Sequence, residues 1–309
     1  MSKKFPPQQS LRQTLYGHLA LARISNSPTV VSNTLAGAAL AGARQIDGKQ
    51  ALVAIAMILF YSAGMYLNDL FDYAVDRRER PKRPLPAGIV SQRAATRVVI
   101  ALFGCGSLLL LIAGPYPFLS GLVLIGLIIC YDKWHKSNPF SPLLMALCRA
   151  MVYVTAFLAF SASSIFNLLL PCCLLIPYVV GLTSIAKLEN KTPARRGRPL
   201  CRPNPLRLPK IGHVGIVVAL FLPTLYFVAR PSLLTLLFAL LFTAWVTYSI
   251  FFIYDSPEPQ IGRTVGQLIA GISLLDSLVL VVSENYQGLL LALIAFGLTL
   301  SLQRYVKGT

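Results

Sequence analysis

The sequence predicts an all-α, polytopic membrane protein, a bundle of up to ten transmembrane helices. Hydrophobic residues make up 55% of the 309-residue chain and charged residues only 13%, a composition typical of membrane proteins. Ten apolar runs approach the length that spans a bilayer. Because a backbone in lipid must satisfy its own hydrogen bonds, we expect each run to be helical and expect no β-structure.

The apolar runs divide the chain into helices of uneven length. They cover residues 28–42, 51–70, 97–113, 117–131, 143–163, 167–186, 211–229, 232–254, 264–283 and 287–303. Several are individually short, and up to ten of them could cross the membrane. Residues 1–18 are polar and predict a cytoplasmic N-terminal segment without a cleavable signal peptide. We expect a single membrane domain over residues 1–309.

The distribution of the basic residues predicts the orientation. With the N-terminus inside, 25 of the 28 Lys and Arg residues fall in cytoplasmic segments or in the adjoining ends of the apolar runs, and only Arg44, Lys49 and Arg230 fall on the outside. This asymmetry follows the positive-inside rule. The net charge of +17 therefore marks a membrane side and does not indicate binding to nucleic acid.

An acidic motif lies where the second apolar run ends. If this stretch is helical, Asn68, Asp72 and Asp76 recur at i, i+4 and i+8, and Asp69 precedes Asp72 by three residues. All four side chains would then share one helix face. Magnesium binds such oxygen ligands and commonly completes its shell with substrate phosphates and water. The motif predicts a Mg²⁺-diphosphate site, and a solvated helix end is the alternative.

The acidic motif continues into Arg-Pro-x-Arg-Pro-Leu-Pro-Ala-Gly, residues 80–88. Together the two segments resemble the first aspartate-rich motif of the UbiA superfamily of intramembrane prenyltransferases. The segments at Arg23–Thr29 and at Tyr131–Lys136 agree with the same family. The resemblance implies nine transmembrane helices around a central cavity, and by overall pattern the chain is most similar to the EboC-like branch.

The resemblance assigns roles to residues of the first motif. In the family, a prenyl diphosphate binds through Mg²⁺ with its tail in the cavity, and a lipophilic acceptor, often an aromatic ring, attacks the allylic cation. The implied metal ligands are Asn68, Asp69, Asp72 and Asp76, with Asp72 and Asp76 as catalytic residues and Asn68 also binding substrate. Of the basic residues that follow, Arg80 and Arg83 are the better phosphate contacts because a guanidinium fits phosphate oxygens.

The second acidic motif of the family is depleted in this chain. It would align with residues 183–191, where only Glu189 keeps a carboxylate. Lys187 would replace one metal ion by pairing its ammonium with a diphosphate oxygen, which makes Lys187 a candidate catalytic residue and Glu189 a candidate substrate contact. The alternative is that both are ordinary interfacial charges.

Several other polar residues are candidates for binding substrate. Lys136 follows the fourth apolar run and could reach the diphosphate, or it could snorkel to the interface. Arg149 lies within an apolar run and should face the interior, because a charge facing lipid is costly. Arg23 and Asn26 are predicted to line the cavity. For Asp276, which lies deep in another run, we expect a hydrogen-bonded structural role.

These features together predict a Mg²⁺-dependent prenyltransferase that joins an isoprenyl group to a lipophilic acceptor within the bilayer. The predicted location is a multi-pass membrane protein with a cytoplasmic active site, in the inner membrane if the source is bacterial. A catalytically degenerate carrier or transporter of prenyl lipids is the alternative, because the second motif is depleted. An ion-coupled transporter is disfavoured, since the acids cluster at one membrane face and not at mid-bilayer.

Overall fold

The computed structural model describes residues 11–136, 138–160, 164–189, 210–254 and 260–306. In these ranges the chain is helical and contains no strand. The α-helices are α1 (Leu11–Leu21), α2 (Pro28–Leu40), α3 (Gly48–Phe71), α4 (Tyr73–Glu79), α5 (Gln92–Ala113), α6 (Pro115–Trp134), α7 (Ser141–Phe160), α8 (Phe166–Glu189), α9 (Lys210–Phe221), α10 (Leu233–Tyr254), α11 (Ile261–Val282) and α12 (Tyr286–Tyr305).

Each of the ten apolar runs coincides with a helical segment, which confirms the predicted all-α membrane bundle. Within the described ranges, eight helices are long and apolar enough to cross a membrane. The other two runs are shorter: α2 has 13 residues, and α9 continues into a 3₁₀ segment at Leu222–Ala229. The protein is therefore a multi-pass integral membrane protein. Part of the segment predicted to be a polar tail is also helical, as α1.

The outer and inner helices differ in their exposure. On α5, large apolar side chains such as Ile100, Leu108 and Ile112 are exposed, as expected of a helix that faces lipid. In contrast, every residue of α11 from Ala270 to Val281 is buried. Since α11 packs against α2, α8, α10 and α12, it forms the centre of one half of the bundle.

Helices α2 and α7 approach each other closely at Gly37. A Cβ atom at this position would lie 2.6 Å from the carbonyl oxygen of Tyr153, so only glycine fits without a shift of the backbone. Small residues at helix interfaces let membrane helices pack in this way. The close approach brings the polar side chains of α2 within reach of those on α7.

Helices α3, α6 and α8 finish at the same end of the bundle, which we call the motif end. The short loop after α6 contacts the ends of both α3 and α8. Lys136 in this loop contacts Asp72 after α3, and the carbonyl oxygen of Asn138 accepts a hydrogen bond from Lys187 of α8. The ends of three helices that are distant in sequence therefore meet at one place.

Candidate active site

The acidic motif lies where α3 gives way to α4. Asp72 joins the two helices with helical backbone angles, φ −83° and ψ −6°. The amide of Asp72 bonds the carbonyl of Asn68, and the amide of Asp76 bonds the carbonyl of Asp72. The i, i+4, i+8 spacing is thus kept through the junction. Asn68, Asp69 and Asp76 are buried, and Asp72 is partly exposed.

Two arginines neutralise the acids at the two ends of this motif. Arg83 Nη1 lies 2.7 Å from Asp76 Oδ2 and 3.4 Å from Asp69 Oδ1. Arg23 Nη2 lies 3.4 Å from the same oxygen of Asp69 and 3.5 Å from Asn68 Oδ1. Both arginines were predicted from the sequence to bind substrate, and the fold places both beside the predicted metal ligands.

Asp72 faces the loop that follows α6. Its carboxylate lies 2.6 Å from Lys136 Nζ and 3.6 Å from His135 Nε2. Burial acts to raise the pKa of Asp72, but the contacts from His135 and Lys136 outweigh it and hold this pKa below its usual value. In turn, the neighbouring Asp72 carboxylate raises the pKa of His135. Asp72 is therefore stabilised as an anion, the form that binds a cation.

No role was assigned to Asp132 or to His135 from the sequence. Asp132 Oδ1 accepts a hydrogen bond of 3.1 Å from the Asn68 side chain. The other oxygen, Oδ2, is buried and has no hydrogen-bond partner among the described residues. A signal was present in the sequence, because Asp132 follows Tyr131 in a segment that resembles the family and lies four residues before Lys136.

An apolar pocket opens between α2, α3, α6 and α7, and Asp132 on its wall contacts Asn68 of the acidic motif. Its walls include Val30, Met57, Phe60, Leu124, Ile128 and Val152. Asp132 and Arg149 are the charged residues among the described lining, and Tyr61 and Tyr131 contribute hydroxyl groups. The pocket thus combines an apolar body with a few polar groups, as ligand sites commonly do.

Arg149 is held on the pocket wall by α2. Its guanidinium donates to Asn33 Oδ1 at 2.8 Å and to Thr29 Oγ1 at 3.1 Å. Asn33 in turn donates to Asp276, whose side chain is completely buried in α11. The predicted inward orientation of Arg149 and the predicted hydrogen-bonded role of Asp276 agree with this geometry.

Four further residues of the predicted site are Asn26, Arg80, Lys187 and Glu189. The side-chain oxygen of Asn26 accepts a hydrogen bond from Gln303 Nε2 at 2.9 Å, and the residue is buried against α12. Lys187 Nζ donates to the Asn138 carbonyl at 3.2 Å. Arg80 is exposed at the end of α4. The side chain of Glu189 lies outside the described residues. Substrate binding by these four stays a prediction.

A sequence model of the UbiA prenyltransferase family matches residues 30–271, which is most of the chain and includes the acidic motif, Asp132 and Arg149. The chain belongs to the UbiA prenyltransferase family. The predicted family is thereby confirmed, and the EboC-like branch within it stays a prediction.

Curated relatives of this UbiA family protein include archaeal digeranylgeranylglyceryl phosphate synthases. The enzyme of Ignicoccus hospitalis is 37% identical over 124 residues, which are 40% of this chain and 40% of that protein. The enzyme of Sulfolobus acidocaldarius is 25% identical over 176 residues, or 56% of this chain and 63% of that protein. The chain therefore spans less than two thirds of the length of these relatives.

Solved structures of UbiA homologues share the fold over nearly their whole length. A structure of a digeranylgeranylglyceryl phosphate synthase has a TM-score of 0.60 and 18% identity, covering 89% of this chain and 99% of that one. A UbiA homologue from Archaeoglobus fulgidus bound to GPP and Mg²⁺ has a TM-score of 0.60 and 14% identity, covering 87% and 99%. At these identities the similarity establishes the fold.

Proposed function

We propose that this UbiA family protein is a Mg²⁺-dependent intramembrane prenyltransferase that moves an isoprenyl group from a prenyl diphosphate to a lipophilic acceptor. One observation carries the proposal: the acidic motif, with its paired cations, is joined through the contact of Asn68 with Asp132 to an apolar pocket that Asp132 lines. A prenyl diphosphate likewise combines a charged part, the diphosphate head, with an apolar part, the isoprenoid tail. The names of the relatives, which are prenyl-lipid synthases, support the reaction class.

The residues at the motif end fit Mg²⁺ in their chemistry. Asn68, Asp69, Asp72 and Asp76 offer amide and carboxylate oxygens, and Asp132 offers a buried oxygen without a partner. No group of three His, Cys, Asp or Glu side chains is gathered around one point within the described ranges. Mg²⁺ does not need such a cage, because one or two carboxylates usually hold it together with substrate phosphates and water. Bound there, the ion would offset charge on the diphosphate.

The protein's own residues would bind the two parts of the donor. Arg23, Arg83 and Lys136, which pair with the acids, would exchange those contacts for diphosphate oxygens. The apolar walls of the pocket would hold the tail and exclude water from the reacting carbon. Fixed cations at the leaving group stabilise the charge that develops there.

The acceptor is a lipophilic molecule, of which an aromatic ring is one example, and it would reach the pocket from the bilayer. We place the site on the cytoplasmic side because the basic loops lead from the motif end. A purified-protein assay tests the function: prenyl diphosphates of several lengths are supplied with phenolic and lipid-alcohol acceptors. We expect Mg²⁺-dependent release of diphosphate. If no combination of donor and acceptor releases diphosphate, the proposal that this protein is an enzyme is refuted.

One observation favours a second candidate, a carrier that binds prenyl diphosphates without turnover. At the end of α8, residues 183–189 keep a single carboxylate, Glu189, and Lys187 contacts the backbone of the loop after α6. A carrier would show Mg²⁺-dependent binding of a prenyl diphosphate without product, and transport into proteoliposomes. Lipid mass spectrometry of cells with and without the chain separates the two, because only an enzyme produces a prenylated lipid.

A further inference from the structure

The ends of α3 and α6 face each other at two matched pairs of residues. Asn68 lies beside Asp132 within the last turns of the two helices, and four residues further along the chain in each case, just past the helix ends, Asp72 lies beside Lys136. The pair at Asp72 is an ion pair at 2.6 Å. The pair at Asp132 joins a carboxylate to a neutral amide, so the charge of Asp132 is not offset by that contact.

Asp132 is also incompletely hydrogen-bonded. The residue is 3% exposed, and its Oδ2 atom has no donor within the described ranges. Burying a carboxylate oxygen without a partner is costly, and nearly all such groups in folded proteins have one. Because Asp132 lines the pocket beside the acidic motif, a cation entering from the motif end is a natural partner.

The contact with Asn68 indicates what kind of cation fits. Asn68 donates to Asp132 through its amide nitrogen, and its amide oxygen has a long contact of 3.5 Å from Arg23. The two facing helix ends thus offer an amide oxygen of Asn68 and a carboxylate oxygen of Asp132. Both are hard ligands of the type that Mg²⁺ selects.

The end of α8 offers few metal ligands of its own. Within residues 183–189 the only carboxylate is that of Glu189, the last residue of the helix, so α3 would otherwise supply most of the metal ligands. We propose that Asp132 is a Mg²⁺ ligand, and that α6 supplies a carboxylate where the end of α8 keeps only Glu189. This inference rests on the proposed function and specifies its metal site.

Metal binding by the full-length protein in lipid nanodiscs tests the inference without reference to turnover. Mn²⁺ replaces Mg²⁺, inorganic diphosphate is present, and electron paramagnetic resonance counts free Mn²⁺. Asp132→Asn keeps an oxygen for Asn68 but loses the charge. We expect it to weaken Mn²⁺ binding by at least the ~10–100-fold that the loss of an outer-shell partner costs.

Asp47→Asn is a matched control at the other end of α3. The Asp47 side chain caps that helix by accepting from the Gln50 amide at 2.7 Å, and asparagine caps equally well, so Mn²⁺ binding should not change. Unchanged binding in Asp132→Asn would overturn the inference. If Asp132→Asn does not fold, the Mn²⁺ affinity of Asp132→Glu is compared with that of Asp132→Gln, because these two variants differ from each other only in charge. Equal Mn²⁺ affinity of that pair would also overturn it.

Asp72→Asn separates this inference from the proposed function. If Asp72→Asn abolishes diphosphate binding while Asp132→Asn binds Mn²⁺ normally, the prenyltransferase site stands and Asp132 is not a ligand. If neither variant changes the binding of Mn²⁺ or diphosphate, the proposed function and the inference both fail. Weaker Mn²⁺ binding in both variants supports both.

Discussion

The side-chain nitrogen of Asn33 lies 2.8 Å and 2.9 Å from the two carboxylate oxygens of Asp276, and this contact joins α2 to α11 in the interior of the bundle. Tyr153 of α7 donates to the same carboxylate at 2.5 Å. On its other side, Asn33 accepts from Arg149. The arginine on the pocket wall and the acid in α11 are thus connected through one amide.

Asp276→Asn should destabilise the fold. The new amide group would face the donor nitrogen of Asn33, so at least one buried donor would lose its acceptor, at a cost on the order of 1–3 kcal/mol. The unfolding temperature, measured in one fixed detergent, reports the change in stability. Asp47→Asn is the control, because it makes the same substitution at a helix end outside this network. An unfolding temperature equal to that of the unchanged protein would show that the network adds no stability.

Asp72→Ala and Asp76→Ala should each abolish Mg²⁺-dependent binding of a prenyl diphosphate. Each change removes a charged oxygen ligand of the acidic motif and little apolar packing, so insertion and helix content should be preserved. Binding of a radiolabelled prenyl diphosphate with and without EDTA measures the effect, and circular dichroism checks the fold. Normal Mg²⁺-dependent binding in both variants would refute the metal assignment.

Arg80→Ala and Arg83→Ala should weaken diphosphate binding less than the aspartate changes, by about tenfold. A charge-assisted hydrogen bond adds to a metal site but does not replace it. Arg83 should matter more than Arg80, because Arg83 already lies 2.7 Å from Asp76, whereas Arg80 is exposed. The dissociation constants of both variants at saturating Mg²⁺ decide the order, and a larger loss in Arg80→Ala would contradict it.

Lys187→Ala should impair diphosphate binding even at saturating Mg²⁺, if this ammonium acts in place of a metal ion. The contact with the Asn138 carbonyl holds Lys187 next to the loop that carries Lys136. Lys187→Asp should restore binding only in part, since Glu189 at i+2 does not share its helix face. A Lys187→Ala protein that binds and turns over normally would show that the residue is an interfacial charge.

Local features of the sequence were sufficient to predict the helices and the acidic motif. The ten apolar runs coincide with helical segments because backbone hydrogen bonding in lipid allows few alternatives. The spacing of Asn68, Asp72 and Asp76 survived the junction between α3 and α4, because Asp72 keeps helical backbone angles. The helix α1 was not predicted, because residues 11–18 belong to a polar segment without an apolar run of membrane-spanning length.

The sequence by itself determined the class of protein, the family and the composition of the acidic motif, because helical periodicity and composition act over a few residues. Only the tertiary structure decided which residues meet the motif. Asp132 lies 64 positions from Asn68, and Asp276 lies 243 positions from Asn33. Such pairs depend on which helices pack together and at what rotation, and close contacts such as Gly37 against Tyr153 fix this arrangement.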